Sequence, residues 1–424
     1  MRLHKEGNEY KMSEENRNFK WIVLGLLFVA HFLLQGIRQL YFASIPSIRT
    51  DLCLGAASLG MVATAFHLVY GLSAPCASVV ADVLRRKTII VLGFFVISVG
   101  VLAAGFAPSL MALVCCYGVV VALGQSMVPS SSSAVLSEFH KNTRSTAMAI
   151  YQSALYLGVI LSSVFAGSLG PGQWRCGFWV LGVLAAVWCA VLFVFLRDRA
   201  ADGPAASSAE PARKASAKEA VMTFFTSPAA LLLTLAFGFC QYGDNGFRVW
   251  MTTYVGDTFL PDARASAAFH AVFWFYLGAF ISINLAGRFT DFLASRRSTA
   301  RFEVAATGLA LSAPCAFFAV RTGSLAWACA GLFFWGFARG IYDANFFASL
   351  HDVINPRYRA AASGLFCCGG FILGSAAPTV LGKIAETFSM KAGMSTLGLF
   401  YLMGACAVFA ARLAVKRSVN GGCR

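Results

Sequence analysis

Five charged residues stand deep inside long apolar stretches of this chain: Arg38, Asp244, Arg248, Arg339 and Asp343. A charge at bilayer depth costs roughly 2.5–3.5 kcal/mol or more, so such residues face a wet cavity or one another. Gln241, Asp244, Asn245, Arg248 and Thr252 recur at steps of three and four, which makes one polar stripe on one helix face. His31, Gln35, Arg38 and Tyr41 form a second stripe, and Arg339 lies one turn from Asp343. Gln125, Pro129 and Ser133 supply a weaker third face, while His67, Tyr70, Tyr151 and His270 stand in neighbouring stretches. A guanidinium grips a carboxylate or phosphate with two parallel bonds, so the arginines suit anion binding. Burial raises the pKa of an aspartate and a nearby arginine lowers it, so Asp244 and Asp343 suit proton carriage. A structural role competes with both. Asp244–Arg248 and Arg339–Asp343 are each four residues apart and can neutralise one another. Arg38 has no acidic residue three or four positions away, so its partner comes from another helix or from a solute. Histidines such as His31, His67 and His270 are more often packed, hydrogen-bonded residues than proton relays.

The elements that carry these residues are membrane helices. The chain has 424 residues, of which 58% are hydrophobic and 12% charged, with a mean hydropathy of +0.68. No soluble core needs that much apolar surface, and unbroken apolar runs exclude a transmembrane barrel, whose strands alternate. About 20 residues per crossing gives spans near 20–47, 57–80, 88–107, 110–136, 145–169 and 176–196. Six more follow near 229–256, 265–289, 301–320, 324–350, 358–385 and 393–415, after a stretch rich in Ala, Ser and Pro. Alternate loops divide the Lys and Arg residues 25 to 6, with three inside spans. That split predicts both termini on the cytoplasmic side and assigns the net charge of +15 to topology and anionic lipid, not to nucleic acid. The polar N-terminus lacks the features of a cleaved signal, so the first span is expected to remain as an anchor. The 13 cysteines are scattered with no zinc spacing, which suits small buried hydrophobes. No nucleotide loop, HExxH or other enzyme motif is present, so neither catalysis nor a cofactor is expected.

Two signatures recur. "SVVADVLRRK" after span 2 carries Asp82, Arg85 and Arg86; "GRFTDFLASRR" after span 8 carries Asp291, Arg296 and Arg297. Arg144 follows span 4 and Arg359 follows span 10, each entering an apolar helix, and the offsets of 209 and 215 residues agree within loop variation. Duplicated halves are a transporter architecture with the solute site between them at mid-membrane.

With this repeat the chain resembles the major facilitator superfamily over nearly its whole length. The resemblance implies an all-α membrane fold of twelve helices in two pseudo-symmetric six-helix bundles. The halves would be residues 1–197 and 219–424, joined by a cytoplasmic linker at 198–218. In that family spans 1, 4, 7 and 10 line the cavity and the repeated loops lock the inward gate. Asp82, Arg86, Arg144, Asp291 and Arg359 are the gating candidates carried over. The loop departs from the family pattern at Ser78, Val83 and Arg85. "IRQLYFASIP" and "FRVWMTTYV" are similar to the organophosphate:phosphate antiporters and the anion:cation symporters, where an Arg in the place of Arg38 faces an anionic substrate. Those antiporters set a second Arg six residues before the Trp, whereas Asp244 stands there and Arg248 is two before Trp250.

The expected function is a secondary active transporter moving a small organic anion by alternating access, by proton coupling or exchange. Arg38 is the expected anchor, with His31, Gln35, Tyr41, His67, Tyr70, Gln125, Tyr151, Arg248 and Arg339 as further solute contacts. The protein is expected as a monomer in a cell (inner or plasma) membrane, with protons as a possible coupling ion. A carrier of amphipathic drugs or lysolipids, using the aromatic walls, is the alternative in the same fold. A transport-dead solute sensor is the alternative from another class.

Overall fold

The computed structural model describes residues 2–421 apart from 84, 141–142, 171, 197–216, 298 and 356–357. Among the described residues every regular element is helical. The first half comprises α1 (Arg2–Asp51), α2 (Ala56–Val83) and α3 (Arg86–Gly105). It continues with α4 (Leu110–Leu113), a π-helix (Val114–Val121) and α5 (Ala122–Phe139) in one continuous rod, then α6 (Arg144–Ser168) and α7 (Trp174–Phe195). A short α8 (Ala217–Thr226) leads into α9 (Pro228–Phe259), α10 (Arg264–Ala294), α11 (Ala300–Arg321) and α12 (Leu325–Asp343). The chain ends in α13 (Phe346–Val353), α14 (Arg359–Gly374), α15 (Ala377–Thr387), α16 (Met390–Ser395) and α17 (Leu397–Gly421).

Among the described residues, ten helices or joined helices are long and apolar enough to cross a membrane. The two remaining positions in chain order belong to α9 and to the α12–α13 pair, which carry Asp244, Arg248, Arg339 and Asp343. The charges that mark the site are thus what makes these two spans less apolar. Large apolar side chains stay exposed on the outer faces, for example Phe95, Val187, Phe193, Leu285, Phe289 and Phe318. Contiguous exposure of this kind needs an apolar solvent.

The duplication expected from the loops reappears in the packing. In the first half α1 packs on α6, α2 and α3 on α5, and α3 on α7. In the second, α9 packs on α14, α10 and α11 on α12, and α11 on α17. These are the same pairings shifted by six spans, so each half is one copy of a six-helix bundle. Between the halves α2 meets α14 and α15 while α6 meets α10. Three expected spans are interrupted, span 12 only at Thr396 near its start. Span 10 breaks after Asp343, where Asn345 Nδ2 donates to the Ile341 carbonyl at 2.9 Å and to Thr290 Oγ1 at 3.2 Å. Span 11 breaks ahead of Pro378, which lacks the N–H that a continuous helix requires. The helix α1 begins at Arg2, earlier than hydropathy placed span 1, because polar residues can extend a helix beyond the bilayer.

Candidate anion site between the halves

The polar stripes meet in the interior. Arg38 Nε and Nη2 both donate to Gln125 Oε1, at 3.1 and 2.9 Å, and Gln125 Nε2 donates to the Leu34 carbonyl at 3.1 Å. The guanidinium lies over the rings of Tyr70 and Phe66, 4.9 and 5.2 Å from their centroids. No carboxylate pairs with it among the described residues. Arg248, from α9, lies within electrostatic reach of Arg38 and stands 5.9 Å from the ring centre of Tyr276. It too has no ion pair among the described residues. Both arginines are half-buried although they sit at mid-span, so the surface they keep faces an internal cavity.

Arg339 is placed differently. Its Nε and Nη2 donate to the two carboxylate oxygens of Asp244 at 3.0 and 2.6 Å, and its Nη1 donates to Asp343. Tyr401 Oη donates to Asp244 Oδ1 at 2.9 Å. Asp244 therefore pairs across helices with Arg339 instead of along its own helix with Arg248, while the Arg339–Asp343 pairing follows the four-residue spacing. One arginine makes both carboxylate ion pairs, which leaves Arg38 and Arg248 without an ion pair among the described residues and within electrostatic reach of each other. Three arginines against two carboxylates leave a net positive charge among these residues, and a cleft lined by one sign of charge concentrates ions of the other.

Among the described residues, several buried polar atoms lack a hydrogen-bond partner. They include both ring nitrogens of His31, Gln35 Oε1, Tyr151 Oη, Thr252 Oγ1 and Tyr276 Oη. His31 stacks on Tyr151 with ring centres 4.3 Å apart. A buried polar atom left unpaired is costly, so these groups are suited to contact with water or a polar solute. Tyr41 and His67, named from sequence as solute contacts, have internal partners. Tyr41 Oη donates to the Leu59 carbonyl at 2.8 Å, and His67 Nδ1 lies 2.7 Å from the Ala63 carbonyl. His270 accepts from Trp274 Nε1 at 3.1 Å, beside an apolar groove of about 790 Å³ between α10 and α12. A second groove of about 430 Å³ lies among α10, α11 and α12, with Phe289, Glu303 and Phe337 in its wall. Both grooves lie away from Arg38.

Sequence reasoning missed Tyr156, Tyr276 and Tyr401. Tyr156 of the first half packs edge-on against Tyr276 of the second, with centroids 5.7 Å apart. Tyr276 follows a run of aromatic residues, and nothing in that run separates a cavity tyrosine from a packed one. Of the gating candidates, the side chains of Asp82, Arg144 and Arg359 lie outside the described residues. Arg86 forms an ion pair with Glu138, and Asp291 lies 3.6 Å from Arg301 Nη2.

The two halves close on each other at the end opposite the one where α1 enters. Thr64 and Thr379 hydroxyls meet at 2.8 Å, Glu386 Oε1 accepts from the Ala57 N–H at 2.9 Å, and Arg264 donates to Ser47 Oγ at 3.4 Å. A Cβ on Gly60 would stand 2.4 Å from the Pro378 carbonyl oxygen, which only glycine avoids. Gly60→Val should therefore wedge this end apart without touching Arg38. In a Thr64→Cys background, labelling at position 64 by an impermeant maleimide, read by mass spectrometry, should rise roughly tenfold with the wedge as the closed population falls. Unchanged labelling would mean that this contact does not hold the end shut.

Comparison with known proteins agrees with this architecture. The Major Facilitator Superfamily model matches residues 27–378. A probable galactarate/D-glucarate transporter of Bacillus subtilis (strain 168) is 27% identical over 185 residues, covering 41% of each chain. A membrane sensor protein of Escherichia coli (strain K12) is 24% identical over 322 residues, covering 72% of each. The glucose-6-phosphate exchanger of Bos taurus is 25% identical over 287 residues, covering 57% of each. Among solved structures, a bacterial homologue of the human lysosomal transporter Spinster, inward-facing and unoccupied, superposes with a TM-score of 0.82 at 17% identity. That alignment covers 93% of this chain and 97% of that one.

Proposed function

Because the chain belongs to the Major Facilitator Superfamily, we propose that it is a secondary active transporter for a small organic anion, bound between Arg38 and Arg248. The observation that carries this reading is the charge assignment in the cavity. Arg339 pairs with both carboxylates, and the two remaining guanidinium groups, one from each half, lie within electrostatic reach of each other. An anion bridging them contacts both bundles at once, which couples its binding to their relative position. Arg38 has no carboxylate partner among the described residues, and its guanidinium offers a fork suited to a carboxylate or phosphate. The relatives that handle sugar acids and a sugar phosphate support the same class of solute.

In this reading residues 1–197 and 219–424 are the moving bodies, with 198–218 as the tether, and both termini face the cytoplasm of a cell membrane. The closed end at Gly60 and Glu386 is then the outer gate. Asp343 keeps accessible surface while Asp244 is buried, which makes Asp343 the carboxylate better placed to exchange a proton during coupling. The test is a thermal-stability screen of purified protein with D-glucarate, galactarate, glucose 6-phosphate and the neutral sugar glucose. A ligand that prefers the folded state raises the melting temperature by mass action. Stabilisation by at least one anion and not by glucose is expected. Equal response to glucose, or to no anion, contradicts the proposal. The resemblance to a membrane sensor supports a second reading, in which the same site binds solute without moving it. Anion binding with no flux in sealed proteoliposomes would select that reading.

A further inference from the structure

We propose that Gln125 and the π-helical turn ahead of it form an arm that aims Arg38 into the cavity without neutralising its charge. The inference rests on the reading of Arg38 as the anion anchor. Residues eight apart on a regular α-helix lie about 80° from a common face. Tyr117 and Gln125 have that spacing, yet both reach a single turn of α1. Tyr117 Oη donates to the Arg38 carbonyl at 3.0 Å and approaches the Ile37 carbonyl at 3.4 Å, while Gln125 Nε2 donates to the Leu34 carbonyl at 3.1 Å. The wider turns of Val114–Val121 bring the two side chains into line. Segments of this kind recur at functional sites in helical proteins.

The amide has one orientation that works. With Nε2 held by a carbonyl, Oε1 turns to the guanidinium and accepts from both Nε and Nη2. The reverse orientation would set NH₂ against guanidinium donors and one carbonyl oxygen against another. A glutamate could accept the same two guanidinium bonds, but it would cancel the charge and set a carboxylate oxygen against the Leu34 carbonyl. Glutamine supplies the geometry alone, and the flanking rings of Phe66 and Tyr70 also hold the cation without neutralising it. Gln125 is thus a positioning residue, acting on the solute through Arg38.

The test is isothermal titration of the purified full-length protein with D-glucarate and with glucose 6-phosphate, in buffers of different ionisation heat. Wild type, Gln125→Glu, Gln125→Met and Arg38→Ala are compared over a range of pH. The surrounding titratable and charged groups are His31 and Tyr41 on α1, His67 and Tyr70 on α2, Tyr117, Tyr151 on α6, Arg248 on α9 and Tyr276 on α10. The wild-type profile carries whatever these contribute and is subtracted. In Gln125→Glu the new carboxylate pairs with Arg38 and must be protonated before an anion can replace it. Each bound anion should then take up about one proton more than in wild type, by linkage between the two ligands. Affinity at neutral pH should fall at least roughly a hundredfold and recover about tenfold per unit of falling pH. Gln125→Met, which has no charge to contribute, should bind roughly tenfold more weakly with no added proton.

Wild-type affinity and proton count in Gln125→Glu, alongside lost binding in Arg38→Ala, would overturn the role given to Gln125. If Gln125→Glu does not fold, wild-type affinity in Gln125→Met overturns it equally. Full binding in Arg38→Ala, or no binding of either anion by wild type, instead removes the reading of Arg38 and the inference with it.

Discussion

Replacing Arg38 by alanine should nearly abolish anion binding and uptake while the protein still folds. Its guanidinium gives its internal bonds to a neutral amide, so its removal leaves no buried carboxylate without a partner. The loss expected for charge-assisted bonds in a desolvated site is on the order of 2–5 kcal/mol. Arg38→Lys should fall between alanine and wild type, because an ammonium cannot reproduce the two-pronged grip. Equilibrium binding of D-glucarate and glucose 6-phosphate, with melting temperature measured in the same samples, separates the two contributions. Unchanged affinity in Arg38→Ala would sink the anchor role, whereas lost affinity with an unchanged melting temperature supports it.

Arg339 should behave in the opposite way, and its effect should be on folding. Its side chain is 5% exposed and serves Asp244 and Asp343 together. Arg339→Met leaves two carboxylates inside the membrane domain without a cation, a change of about 3–5 kcal/mol against the folded state. The variant should express poorly or melt far below wild type. Asp343→Asn should be much milder, because Arg339 keeps its two-pronged bond to Asp244 and the Asp343 side chain is 32% exposed. Asp244→Asn placed on top of Arg339→Met should restore part of the stability by removing one uncompensated charge. Equal melting temperatures for Arg339→Met and wild type would mean that the cluster is not a structural tie. The contrast matters because each is a cation in an apolar run, and only the spacing of Asp343 from Arg339 separates them in the sequence.

What the sequence disclosed follows from which interactions are local. Hydropathy and loop charge depend on residue type alone, so the spans, their pairing into halves and the family resemblance were legible. The same is true of the Arg339–Asp343 pair, four residues apart on one helix. The Asp244–Arg339 bond joins positions 95 residues apart, and no spacing rule prefers it to Asp244–Arg248. Gln125 stood out as a polar face, but its aim at Arg38 depends on a π-helical turn. That turn changes the hydrogen-bond ladder and leaves the apolar pattern of "VCCYGVVV" unmarked. Tyr401 was invisible for a related reason, since it reaches Asp244 from the last helix of the chain. The helix breaks at Asp343 and ahead of Pro378 were readable in hindsight only at the proline.

The measurement that bears most directly on the account is a map of the anion-bound protein, determined in a lipid nanodisc with D-glucarate or glucose 6-phosphate. The account predicts density for the anionic group against Arg38 Nη1, within reach of Arg248, with Gln125 still bonded to Arg38 Nε. Density confined to the apolar grooves flanking α10 and α12, or bound at Arg339 with Asp244 displaced, would contradict it.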